Sequence, residues 1–236
     1  MDSNKICFIA CTNDELKMKE CNLYIDRLYV PEGFTTEKIL ITDAKSMCEG
    51  YNRAMTASDA KYKIYLHQDV YIINRWFLHN LIRIFESDKK IGLIGMVGAS
   101  SLSDEAVMWR SGEGTFFGRT YDVTDTRDFV EEKIEGRPVV EDAVSVDGQL
   151  MATSVDIPWR EDLFREFDFY DVSQSFEIRK KGYRVVVPAQ EFPWVVHDDG
   201  LILSLYNYNK NRKIFIENYK GVRRDDGQEL SWKGTM

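Results

Sequence analysis

The chain has no apolar run approaching eighteen residues, so no segment is long enough to cross a membrane as a helix. It has no basic excess either. Lys and Arg number 31 against 39 Asp and Glu, a formal net charge of −8, which argues against a nucleic-acid binder held by a basic face. No Cys-x-x-Cys pair occurs. The four cysteines, Cys7, Cys11, Cys21 and Cys48, fall in predicted strands or helices. They read as buried free thiols of a reducing compartment rather than disulfides or zinc ligands, which points to the cytoplasm. No Gly-x-Gly-x-x-Gly follows the first predicted strand and no Walker loop occurs, so both common phosphate-binding fingerprints are missing. Internal repeats and low-complexity linkers are absent. Met1 to Lys5 is polar and leads straight into a strand, which is not the pattern of a signal peptide.

What is present is an ordinary core-forming composition. The 236 residues are 44% hydrophobic and 30% charged, enough for one compact domain. Lys5 to Cys11 is a nearly all-apolar run, predicted as a central parallel strand. Thr12 and Glu15 have the spacing of a capping box, predicting a helix from Thr12 to about Tyr29. Lys38 to Thr42 is the second strand. Ser46 and Glu49 form a second capping box, opening a helix to about Ala57. In Tyr62 to Leu66 the apolar residues alternate with period two, a third strand. Trp76 to Glu86 carries Phe77, Leu78, Leu81, Ile82 and Phe85 on one helical face, and Ile91 to Val97 is a fourth strand. Strand and helix alternate throughout, the signature of an α/β fold with a parallel sheet and helices on both faces.

The pattern changes after Gly98. Ala99 to Asp122 is rich in Ser and Gly and long for a connector. Asp128 to Asp142 is charged and predicted at the surface. Val144 to Ser154 has strand character, with Gly148 inside it marking a close approach of a ligand or another backbone. Asp171 to Lys181 is a predicted helix closed by Gly182, and Tyr183 to Pro188 is a strand. Phe192 to Val196 is extended and ends at His197. Leu201 to Tyr219 is a last helix, and Arg223 to Met236 reads as a loose polar tail. These segments divide the chain into residues 1–98, 99–200 and a C-terminal 201–236.

Three residues stand where chemistry is done. Asp69 ends the third strand, and ligands of open α/β sheets bind just outside such ends. Asp171 opens a helix, and His197 ends a late strand. Taken singly, each has a plainer reading: Asp69 as a turn residue, Asp171 as a helix cap, His197 as a satisfied buried histidine. Their order is what joins them, as parts of one cleft holding a metal, a base and a nucleotide.

This order resembles family 2 glycosyltransferases of the GT-A fold, and more closely a bacterial glycosyltransferase-like branch. The resemblance rests on Ile6 to Asn13, on Gly50 to Ala54 followed by Tyr65 to Asp69, on Val146-Asp147-Gly148, and on Phe169-Tyr170-Asp171 with Lys181-Gly182-Tyr183-Arg184 and His197. His67 stands where the first Asp of Asp-x-Asp would be, Tyr170 where many relatives carry Glu, and Ser173 where many carry Asp.

The resemblance implies a GT-A, Rossmann-like sheet. Residues 1–98 would form the half that binds the nucleotide sugar and 99–200 the acceptor and catalytic half. The activity implied is transfer of a sugar from a nucleotide-diphosphate donor to a glycan, lipid-linked or other hydroxyl acceptor, as in bacterial polysaccharide biosynthesis. It would depend on Mn²⁺ or Mg²⁺ and invert the anomeric centre. Asp69 and His197 would hold the metal, and Asp171 would stay ionised as the base. Thr12, Asn13, Asp43, Asn52 and Asp69 would bind the donor. No nucleic acid is implied, and contact with a membrane surface and the oligomeric state stay open. Two other readings remain: a degenerate nucleotide- or glycan-binding module, and, further behind, a nucleotidyltransferase.

Overall fold

The computed structural model describes residues 1–123, 128–198 and 205–232. The first half alternates as the apolar pattern requires. β1 (Asp2–Cys11) leads to α1 (Glu15–Ile25), β2 (Thr35–Ile41) to α2 (Met47–Ala57), and β3 (Ala60–Leu66), with the short β4 (Val70–Ile72), to α3 (Phe77–Ser87). β5 (Ile91–Gly95) follows, and the strand predicted to reach Val97 breaks at Met96 to start β6 (Val97–Ala99). The second half holds β7 (Phe116–Gly118), β8 (Tyr121–Asp122), β9 (Val140–Asp142), β10 (Ser145–Val146) and β11 (Leu150–Thr153). Then come α4 (Tyr170–Lys180), β12 (Arg184–Pro188), β13 (Val195–His197) and α5 (Leu205–Tyr219).

The main sheet has the order β2-β1-β3-β11-β5-β12-β9. It is mostly parallel, with β11 and β9 antiparallel to their neighbours. The four strands predicted in the first half all lie in it, but β3 and β5 are not neighbours, because β11 runs between them. The predicted strand Val144–Ser154 splits at Asp147 to Gln149, so β10 joins a small sheet with β6 and β7 while β11 enters the main one. Because β11 is antiparallel, its first residue pairs with the last of β3, Leu150 with Leu66. The turn before β11 therefore sits at the same sheet edge as the turn after β3.

Side-chain alternation builds a core on each face. Ile6, Phe8 and Ala10 of β1 face one way, with Ile64 and Leu66 of β3, against α1 and α3. Phe77, Leu78, Leu81 and Phe85 of α3 are buried there, each contributing about 1.5–3 kcal/mol. Cys7, Ile9 and Tyr65 face the other way, against Tyr51 of α2, Phe176 of α4 and Phe215 of α5. Lys63 also points inward. It is fully buried and donates to Ala60 O (2.8 Å) and to both oxygens of Asp156 (2.8 and 2.9 Å).

Several local expectations change. The helix predicted from Thr12 begins at Glu15, because Asp14 caps it, accepting from Leu16 and Lys17 N–H. Thr12 N–H is still bonded to Ile41 O (2.9 Å), so its backbone is held in the sheet and it cannot cap. The second capping box forms, with Glu49 N–H donating to Ser46 Oγ (3.1 Å). Gly182 closes α4 at φ +84°, where a Cβ would be strained. The tail is not loose as far as Trp232. Leu230 is buried and the Trp232 ring packs on Phe215 at 5.5 Å, so its apolar residues fold back onto α5. Residues 201–204 and 233–236 of the predicted last helix and tail lie outside the described residues. The cysteines are free, and burial pushes the Cys7, Cys11 and Cys21 thiols up to about 12. Among the described residues, no helix is long and apolar enough to cross a membrane.

Candidate active site

The end of β3 is the centre of the site. After Leu66 the chain turns through His67, Gln68 and Asp69 into β4. Two other segments are clamped to this turn by backbone bonds. His67 N–H donates to Gln149 O (3.0 Å), which brings in Asp147 and Gly148 ahead of β11. Antiparallel pairing of β13 with β4 sets His197 opposite Val70, and Asp198 N–H donates to Asp69 O (2.9 Å).

This convergence places one ligand atom each of His67, Asp69 and His197 within 4.8 Å of one another. Asp69 Oδ1 is buried and accepts no hydrogen bond among the described residues. Around it stand His197 Nε2 at 3.7 Å and His67 Nδ1 at 3.9 Å, themselves 3.3 Å apart. A buried carboxylate oxygen without a donor is costly, and two imidazole nitrogens plus a carboxylate are a good ligand set for a divalent transition metal. The residues therefore fit a metal. Burial, and the facing His197, push His67 down to about 4, so its imidazole is neutral and has a lone pair to give. Lys17, from α1, closes the far side. Its ammonium is 3.7 Å from Asp69 Oδ2 and 3.1 Å from Asp198 Oδ2.

Gln68 ties the turn to the end of β1. Its Oε1 accepts from Thr12 Oγ1 (2.7 Å) and from the N–H groups of Asn13 (3.0 Å) and Asp14 (2.9 Å). Its Nε2 donates to Asn13 Oδ1 (2.7 Å). Beside it opens a cleft of about 280 Å³, lined by Thr12, Asn13, Thr42, His67, Gln68 and Asp69 among others.

Asp171 is the second acidic centre. Phe169, in the left-handed region at φ +63°, turns the chain into α4, and Asp171 lies in the first turn rather than at the cap. Its Oδ2 accepts from Gly148 N–H (3.0 Å) and its Oδ1 from Val172 N–H (2.8 Å). Burial, then the nearby Asp147 charge, raises its carboxyl to about 7. The expectation that it stays ionised thus changes: desolvation and a like charge outweigh the helix N-terminus and the two amides. The two centres are joined through Tyr170, whose hydroxyl makes a short hydrogen bond to His67 Nε2. Gly148 is a close-approach position, but what approaches is the Tyr170 phenol, which a Cβ would overlap.

The predicted residues divide accordingly. Thr12, Asn13 and Asp69 line the cleft, and His197 stands beside Asp69. Asp43 is outside the lining, largely exposed and paired with Arg53 at 2.9 Å. Asn52 is placed elsewhere: its amide donates to Trp159 O (2.9 Å) and accepts from Trp159 N–H (2.8 Å), which uses it to hold a loop. The sequence reading missed Lys17 and Gln68, and it took His67 as a lost acid. The available signal was that two of only three histidines end strands on this edge.

The profile described as "Glycosyltransferase like family" matches residues 7–219. The chain belongs to the glycosyltransferase-like family. No curated protein matches the sequence at a significant level. Solved structures share its fold at low identity. S. aureus TarS 1–349 in complex with UDP-GlcNAc has a TM-score of 0.52 at 9% identity, covering 86% of this chain and 60% of that one. The mannosyltransferase PcManGT from Pyrobaculum calidifontis, in complex with GDP-Man and Mn²⁺, has a TM-score of 0.51 at 11% identity, covering 90% and 70%. GalNAc-T7 with UDP, GalNAc and Mn²⁺ has a TM-score of 0.50 at 11% identity, covering 93% and 49%. This glycosyltransferase-like chain thus spans 60% of the TarS 1–349 length and about half of GalNAc-T7.

Proposed function

We propose that the protein transfers a sugar from a nucleotide-diphosphate donor to a hydroxyl acceptor, a glycan or lipid-linked saccharide, with a divalent metal and inversion. The observation that carries this reading is the convergence of His67, Asp69 and His197 beside the cleft at the end of β3. Fold relatives in complex with UDP-GlcNAc, with GDP-Man and Mn²⁺, and with UDP and Mn²⁺ support it. His67 offers a nitrogen where an Asp-x-Asp enzyme has a carboxylate, so the departure reads as a replaced ligand, which favours an enzyme over a degenerate module.

In this reading Asp69, His197 and His67 hold the cation, which would offset the charge developing on the leaving diphosphate. Thr12 and Asn13, fixed by Gln68, bind the nucleoside side of the donor. Asp171, in its ionised form, takes the proton of the acceptor hydroxyl as the oxygen bonds to the anomeric carbon. The bond from that carbon to the phosphate oxygen breaks on the opposite face, and the nucleoside diphosphate leaves. A base with pKa near neutrality is well matched to this task. Residues 1–98 serve the donor and 99–200 the acceptor, and the unpaired thiols suit a cytoplasmic setting. The test is a thermal-shift panel of UDP and GDP sugars with and without Mn²⁺. A cognate donor raises the melting temperature in Mn²⁺ by mass action. No shift with any nucleotide sugar, in protein that does respond to Mn²⁺ alone, would sink the donor assignment.

A further inference from the structure

We propose that the Tyr170 hydroxyl, seated against Gly148, is a positioning group that holds the His67 ring with Nδ1 turned toward Asp69, completing a two-nitrogen, one-oxygen site that favours Mn²⁺ or Co²⁺ over Mg²⁺. This rests on the metal reading above and deepens it, since it assigns His67 as a ligand and names the residue that holds its ring.

A neutral imidazole carries one N–H. His67 Nδ1 faces Asp69 Oδ1 and His197 Nε2, so it ligates only if the proton is on Nε2. Tyr170 Oη bonds Nε2, and because a hydroxyl can donate or accept, it can take the Nε2 proton once Nδ1 gives its lone pair to a metal. Ligating histidines depend on such an outer partner for ring orientation and basicity.

The hydroxyl has little freedom to leave. Tyr170 is 3% exposed, and its ring packs on Tyr51 at 5.8 Å and Trp159 at 6.1 Å. Its oxygen fills the space that any Cβ at position 148 would occupy. Gly148 is itself fixed, its N–H donating to Asp171 Oδ2 (3.0 Å). On the other side, the His67 backbone is held by Gln149 O (3.0 Å). Both ends of the Tyr170–His67 bond are thus set by fixed backbone.

The chemical consequence follows from the donor set. Mg²⁺ favours oxygen ligands and retains water, whereas imidazole suits the later divalent ions. Two imidazoles against one carboxylate therefore weigh against Mg²⁺.

Metal alone is the probe. Calorimetric titrations of Mn²⁺, Co²⁺ and Mg²⁺ into the metal-free full chain, without nucleotide, should rank Mg²⁺ at least about tenfold weaker than Co²⁺. Tyr170→Phe keeps the ring and removes the hydroxyl. It should weaken Mn²⁺ and Co²⁺ by about 10–100-fold and alter the visible absorption of bound Co²⁺. ¹⁵N NMR of the imidazoles with Zn²⁺ should show His67 protonated on Nε2. Unchanged Co²⁺ affinity and spectrum in Tyr170→Phe, or Mg²⁺ binding as tight as Co²⁺, overturns the proposal. If Tyr170→Phe melts early in EDTA, Gly148→Ala decides, since its methyl displaces the hydroxyl and should weaken metal in the same way. Wild-type affinity in that variant overturns the proposal as well. These titrations contain no sugar nucleotide, so a failed donor assignment and a failed metal site give different results.

Discussion

Two carboxylates reach the same edge of the sheet, and their surroundings are opposite. Asp69 follows directly on a strand, keeps one buried oxygen without a donor, and faces two imidazoles and the Lys17 ammonium. Asp171 comes from the first turn of a helix, has an amide on each oxygen, and faces Asp147. An unbonded carboxylate oxygen ringed by ligand nitrogens calls for a cation. A carboxyl pushed to neutrality beside another acid calls for a proton. In the proposed reading, the division of labour between metal and base is therefore set by neighbours, since both side chains are the same residue.

That contrast can be broken most severely at Asp69. Asp69→Ala should abolish Mn²⁺-dependent binding of the donor while leaving the fold intact, as calorimetry with and without metal would show. Full affinity in the variant would remove the metal half of the comparison. Asp171→Asn should leave donor and Mn²⁺ binding in place and lower transfer by about 10²–10⁴-fold, because the shape and one of the two amide bonds survive while the proton acceptor is lost. A near wild-type rate would return Asp171 to a structural role and pass the base to Asp147 or Asp168.

The same variant sharpens the contrast through pH. The folded Asp171 carboxyl is raised from 3.8 to about 7, so the fold binds that proton more tightly than the unfolded chain. Its contribution to stability is complete below the unfolded value and is lost as pH rises through about 7. Metal-free Asp171→Asn should thus melt progressively higher than wild type as pH climbs from about 4 to about 7, with transfer by the wild type rising over the upper part of that window. A pH-independent difference in melting temperature would mean the carboxyl is not raised.

A smaller effect is predicted where the halves are bolted together. Lys63 belongs to β3, and Asp156 follows β11. Asp156→Ala leaves a buried ammonium with only Ala60 O, which should cost about 3 kcal/mol in denaturant unfolding. A loss under about 1 kcal/mol would mean that Lys63 finds water. Smallest is Asn52→Ala, expected to cost about 1–3 kcal/mol through the orphaned Trp159 backbone groups with no change in donor affinity. A fall in donor affinity at unchanged stability would restore Asn52 to the donor site.

How much of this was legible in the chain depended on range. Period and capping residues located β1, β2, β3, α2, α3 and α4, because their signals lie within a few residues of one another. The strand-end placement of Asp69 followed from β3 alone. The position of β11 could not be read, since nothing local to Leu150–Thr153 says that it separates β3 from β5. The same holds for the site. Thr12 reads as a cap until the ladder to Ile41 is known. His67 reads as a missing acid until Tyr170 and His197, distant in sequence, are seen on its two nitrogens.

The place of β11 also has a consequence for how the molecule is made. β3 and β5 are complete well before β11 exists as chain, so during synthesis each exposes an unpaired edge at what will be the middle of the sheet. Exposed edges of this kind invite mispairing, and contacts so distant in sequence close slowly. Closing the middle of the sheet also brings Gly148 and Gln149 beside His67, and a nascent chain stalled before β11 would be open at its centre.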